Sequence, residues 1–114
     1  MNNDIEELKN FILDCLHEKK ADNIETLELS DNIPLAKYMI FASGRSRKNI
    51  SAVAEYIMLE LKDKHKLLVN AEGRGHSDWV LIDAGDIIIH LFQPEAREEY
   101  KLKELWIEKI KINK

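Results

Sequence analysis

Cysteine is almost absent from this chain. Cys15 is the only one in 114 residues, so no intramolecular disulfide can form, and a secreted fold stapled by cross-links is excluded. It lies on the apolar side of a helical pattern, where a buried, inert thiol is expected rather than a nucleophile. Two prolines and four glycines are all that occur, and no repeat, low-complexity stretch or interdomain linker is visible. No apolar run approaches the ~18 residues of a membrane span. The start, Met1-Asn2-Asn3-Asp4, is polar and acidic and has the character of neither a signal nor a transit peptide. The cytosol is the expected location.

An excess of positive charge is also lacking. Lysine and arginine number 17 against 21 aspartates and glutamates, a net charge of -4. That balance argues against a surface that clings everywhere to nucleic acid, while leaving open a protein contact inside a ribonucleoprotein. The last fourteen residues are locally basic, with five lysines from Lys101 to Lys114 against Glu104 and Glu108; a solvated helix end explains them.

What is present suits an ordinary soluble domain. Apolar residues make up 45% and charged residues 33%, enough apolar surface to offset chain entropy and exclude intrinsic disorder. The length fits one domain spanning 1–114.

Ile5, Leu8, Ile12, Cys15 and Leu16 recur at helical spacing. Asn3 or Asp4 is the expected cap, and Glu6 and Glu7 suit the positive end of the dipole. Lys19 and Lys20 suit the other end, and Asp22-Asn23 reads as a turn. Ile24 to Leu29 alternates as a strand, Ser30 to Pro34 as a loop, and Tyr38 to Ala42 as a buried strand. A second helix is expected from Ser46, its apolar stripe made of Ile50, Val53, Ala54, Ile57 and Leu61 and widened by Met58. It ends over Asp63 to Lys66. Leu67 to Asn70 reads as a short strand and Glu72 to Asp78 as a loop. Two apolar runs, Trp79 to Ile82 and Ile87 to Phe92, then flank Asp83-Ala84-Gly85-Asp86, a hairpin signal. Pro94 breaks the second strand, and Leu102, Leu105, Trp106 and Ile110 mark a final amphipathic helix. The order predicts an α/β domain on a mixed sheet of about five strands, because the hairpin demands an antiparallel pair.

The hairpin strands are apolar on both faces, so both faces want cover. A face left uncovered by the helices is an expected partner site; complete burial is the plainer alternative.

A search for chemistry finds little. Gly73-Arg74-Gly75 lacks the third glycine of a dinucleotide fingerprint and precedes a strand, so it offers no helix N-terminus to a phosphate. Ser43-Gly44-Arg45-Ser46 does precede a helix, as in nucleotidyltransferases. No Asp-x-Asp or Glu-x-Asp pair follows on a strand to hold Mg²⁺; Asp83 and Asp86 bracket a turn instead. His90 stands alone in an apolar strand, which suits a hydrogen-bonded core or interface residue better than a metal ligand. His17, His65 and His76 sit in polar segments. No Ser/His/Asp or Cys/His arrangement emerges from the spacing.

The run Trp79-Val80-Leu81-Ile82-Asp83-Ala84-Gly85-Asp86-Ile87-Ile88-Ile89-His90-Leu91-Phe92, followed by Pro94-Glu95-Ala96-Arg97, Tyr100 and Leu105-Trp106, resembles the ribosomal silencing factor (Iojap) family. Tyr38, Ser43-Gly44-x-Ser46, Glu72-Gly73 and Ser77 extend the likeness upstream. Lys37 departs from the family's usual acidic residue and Glu28 from its common aspartate. The resemblance implies a nucleotidyltransferase-like fold without catalytic carboxylates, hence no enzyme activity and no cofactor. It implies docking on the large ribosomal subunit through ribosomal protein L-fourteen, with at most a minor contact to ribosomal RNA, and steric repression of translation when nutrients are short. The contact residues it suggests are Trp79, Asp83, Asp86, His90, Phe92, Arg97, Tyr100 and Trp106. Aromatic side chains and arginine are common anchors of interfaces, and the two aspartates set electrostatic register. A nucleotide-using enzyme and a homodimeric module using the same sheet face are the rival readings.

Overall fold

A computed structural model describes residues 2–29, 36–73 and 78–93. Its elements run α1 (Asn2–Glu18), β1 (Asp22–Glu28), β2 (Tyr38–Ser43), α2 (Arg47–His65), β3 (Asn70–Glu72), β4 (Trp79–Asp83) and β5 (Ile87–Phe92). The final helix expected around Trp106 and the loop expected at Ser30 to Pro34 lie outside the described residues, as do Arg74 to Ser77.

The first helix begins at Asn2, so Asn3 and Asp4, expected as caps, are instead inside its first turn, where Asp4 meets the positive dipole end. Its stop is a Schellman arrangement. Lys20 adopts φ 57, its N–H donates to His17 O at 3.0 Å, and the Ala21 N–H donates to Leu16 O at 3.0 Å. The chain therefore turns at Lys19-Lys20. Asp22-Asn23, expected as the turn, already belongs to β1. Asn23 takes φ 50 where the pairing with β2 slips between Asp22 and Glu25, the signature of a bulge.

The second helix follows the expected pattern. Ser46 caps it, its hydroxyl accepting from the Asn49 N–H at 3.0 Å, and Lys66 closes it in the left-handed region at φ 54. Ile50, Val53, Ala54, Ile57 and Leu61 are its buried residues. The strand expected over Leu67 to Asn70 is displaced: Leu67 to Val69 form the connection, Leu68 is 80% exposed, and β3 starts at Asn70.

Strand order is β1-β2-β5-β4-β3. The β2–β5 pair is parallel and the other three are antiparallel, so the sheet is mixed and five-stranded. In the β4–β5 turn, Asp83 Oδ1 accepts from the Gly85 N–H at 2.9 Å, and Gly85 takes φ 80, a value that suits glycine.

Alternation divides the sheet into two unequal faces. One face carries Ile40, Ala42, Val80, Ile82, Ile87 and Ile89 and packs against Ile12 and Leu16 of α1 and the stripe of α2 in one core. Each isoleucine, leucine or valine among them contributes about 1.5–3 kcal/mol by leaving water. Tyr38 ties α1 to β2: its hydroxyl donates to the Glu6 carboxylate, and Lys9 Nζ lies 4.8 Å from the centre of its ring. The Glu6 bond and burial push the phenol up to about 12, and the same bond pulls the Glu6 carboxyl down. The two departures from the family pattern meet at the sheet edge, where Lys37 Nζ lies 3.8 Å from Glu28 Oε2. Such an exposed pair contributes about 0–1 kcal/mol.

Candidate functional site

Among the described residues, the N-terminus of α2 and the sheet face opposite the helices carry side chains that the sequence singles out.

At the α2 N-terminus the amides of Arg45, Arg47 and Asn49 are already occupied. The Asn49 N–H donates to Ser46 Oγ, and the Arg45 N–H donates to Asn49 Oδ1 at 3.0 Å. With its amide turned to satisfy both ends, Gln93 accepts from the Arg47 N–H at 2.9 Å and donates to Asp78 Oδ1 at 3.0 Å. Arg47 Nε lies 2.6 Å from the same aspartate oxygen. An anion arriving here would compete with three internal acceptors and meet the Asp78 carboxylate. Gly44 is needed for packing, not for a phosphate: a Cβ there would lie 2.5 Å from Ile50 Cγ2. Among the described residues no three His, Cys, Asp or Glu side chains could hold a metal ion.

The second face is aromatic. Leu29, Met39, Phe41, Ile88 and Phe92 form its buried cluster, with Leu27, Trp79 and Leu81 partly buried against it. No described helix lies over it. By alternation along β4 and β5, Trp79, Asp83, His90 and Phe92 all belong to this face. His90 stacks on Phe41, ring centres 5.1 Å apart and planes within 10°. Trp79 stacks on Phe92 at 5.5 Å and 21°.

The cross-strand register pairs Trp79 with Phe92 and Leu81 with His90, which makes Trp79 and His90 diagonal neighbours. The Trp79 indole N–H donates to His90 Nδ1 at 3.0 Å. Nδ1 accepts, so the imidazole is neutral with its proton on Nε2. That Nε2 is buried and has no hydrogen-bond partner among the described residues. Burial pushes the imidazole down from 6.5 to about 4.

Of the eight residues singled out in the sequence, four share this face, but at different depths. Phe92 and His90 are 1% and 3% exposed, Trp79 is half-buried, and Asp83 is exposed. Asp86 is exposed in the adjoining turn. Arg97, Tyr100 and Trp106 lie outside the described residues. Leu81 lies half-buried between Trp79 and Asp83 on the same face; its place two residues from each is the sequence signal that puts it there.

The sequence family described as "Ribosomal silencing factor during starvation" matches residues 2–114. This chain belongs to the ribosomal silencing factor family. It is 41% identical over 103 residues to the ribosomal silencing factor RsfS of Zymomonas mobilis, covering 90% of this chain and 77% of that one. A longer relative, the mouse "Mitochondrial assembly of ribosomal large subunit protein 1", is 29% identical over 84% of this chain and 43% of its own. The crystal structure of a Chromobacterium violaceum protein superposes with a TM-score of 0.84 at 31% identity, covering 90% of this chain and 85% of that chain. That structure and this chain share a fold.

Proposed function

We propose that this chain represses translation by docking on the large ribosomal subunit, through ribosomal protein L-fourteen, so that the small subunit cannot join. The observation that carries this reading is the match of a silencing-factor family over residues 2–114. The name of the mouse relative, which couples that protein to a large ribosomal subunit, supports the choice of subunit. The action is steric and requires no turnover, consistent with the occupied amides at α2.

The docking surface is the exposed rim of the aromatic face. Trp79 supplies a large ring at modest conformational cost, and Asp83 and Asp86 place negative charge beside it to set register against a basic partner. Phe92 and His90 shape the face from beneath. Arg97, Tyr100 and Trp106 remain candidate contacts on the sequence resemblance alone.

The test is a subunit-joining assay. Purified small and large subunits are mixed with increasing amounts of the protein, and association is followed by light scattering. Joining should fall in proportion to the protein bound to large subunits. Unchanged joining at saturating protein would reject the steric mechanism.

A further inference from the structure

His90 is hard to explain by stability. A phenylalanine would fill the same gap between Phe41, Trp79 and Phe92, and it would leave no buried donor without an acceptor. Among the described residues the imidazole instead loses hydration, leaves its Nε2–H without an acceptor, and gains one bond, from the Trp79 indole at 3.0 Å. What that bond does is geometric. Trp79 is the half-buried residue of the stack, held on one side by Phe92. Stacking alone lets an indole slide or flip in its plane, whereas a directed N–H bond to a buried, rigid acceptor fixes one orientation. With its N–H bonded to buried His90, the indole's one polar atom is spent inside the face, and what it can present to a partner is ring carbon.

We infer that His90 is a positioning residue for docking: it does not touch the partner but locks Trp79 in the orientation in which the partner meets it. The inference rests on the docking reading above and assigns the face a specific demand, an apolar patch on the partner that receives ring carbon rather than a carbonyl that receives the indole N–H. Holding the ring in place before binding removes the cost of immobilising it on binding, a gain of roughly tenfold in affinity.

Two variants separate positioning from packing. His90→Phe keeps the ring and its stacks but removes the acceptor. His90→Asn returns an acceptor oxygen near the place of Nδ1. The readouts are the Trp79 indole N–H resonance, assigned with Trp79→Phe, and the affinity for purified large subunits. In His90→Phe the indole signal should move and lose its protection from exchange, while the thermal melt stays at or above that of the parent. Affinity should fall by roughly tenfold, and His90→Asn should recover the protection and most of the affinity. In a Trp79→Phe background, the further change His90→Phe should cost nothing more, because the bond is already gone.

Parent affinity in His90→Phe, or an equal loss in the Trp79→Phe background, would overturn the positioning role while leaving docking intact. A parent chain that does not bind large subunits would overturn docking and the positioning role together. If His90→Phe does not fold, the comparison of His90→Asn with the parent decides the matter: a protected indole with parent-like affinity supports the inference, and a protected indole with lost affinity rejects it.

Discussion

Gly44 and Ile50 approach so closely that the missing side chain is part of the packing: a Cβ on Gly44 would lie 2.5 Å from Ile50 Cγ2 and 2.6 Å from Asn49 Oδ1. Ile50 is fully buried and the Asn49 oxygen is engaged by the Arg45 N–H, so neither can retreat freely. Gly44→Ala should therefore destabilise the fold by roughly 1–3 kcal/mol and lower the melting temperature by on the order of 10 °C. A urea or thermal melt checks this. An unchanged midpoint would mean that the turn after β2 yields without cost.

Nucleotide binding is expected to be absent. Three amides that an α2 phosphate site would use, those of Asn49, Arg45 and Arg47, are held by Ser46, Asn49 and Gln93. Calorimetry with each of the four nucleoside triphosphates in the presence of Mg²⁺ should give only heats of dilution. A saturable signal with one-to-one stoichiometry would restore the enzymatic reading.

The periodic parts of this fold were legible in the sequence. The α2 stripe Ile50-Val53-Ala54-Ile57-Leu61 is the buried set residue for residue, because a helix on a core must repeat at that spacing. Turn chemistry made the hairpin legible through Asp83 and Gly85. Elements set by pairing alone were not. Asn70-Ala71-Glu72 has no strand pattern of its own and is a strand because it lies beside β4, whereas the apolar run Leu67-Leu68-Val69 mimics a strand and is a connection. The Trp79–His90 bond was equally hidden, since residues eleven apart become diagonal neighbours only once the hairpin register is known. The depth of Phe92 and His90 was hidden for the same reason: alternation gives a residue's face and not how far it sinks.

The stability of the fold should fall on acidification because of His90. The unfolded chain protonates this imidazole below about 6.5, and the folded chain only below about 4. Between those values the unfolded state binds more protons, so the contribution is complete above about 6.5 and is lost as pH falls to about 4, a change of about 3 kcal/mol. The depressed Glu6 carboxyl acts in the same direction, and its contribution is lost as pH falls through its lowered folded value. Urea melts of the parent and of His90→Phe from pH 7.5 to pH 4.5 test the assignment. The variant should show a clearly flatter dependence; identical slopes would mean that His90 is not held neutral by the fold.

Cys15 should be chemically silent in the folded chain. Burial, with Glu60, Asp14 and Glu18 nearby, pushes its thiol up to about 11 from 9.0. The thiolate fraction near pH 8 is then lower by about a hundredfold than in the unfolded chain. Labelling with a chromogenic disulfide reagent should be slow in buffer and fast in denaturant. Rapid labelling of the folded protein would show that the α1 face opens readily.

The central claim is that the rim around Trp79 docks on the large subunit in place of the small one. Sedimentation tests it most directly, with the protein mixed separately with isolated large subunits and with assembled ribosomes. The parent should travel with isolated large subunits and be nearly absent from assembled ribosomes. A folded Trp79→Ala should lose about thirtyfold in affinity, the ~2 kcal/mol expected of an anchor residue. Equal recovery with isolated subunits and assembled ribosomes, or full retention by Trp79→Ala, would contradict it.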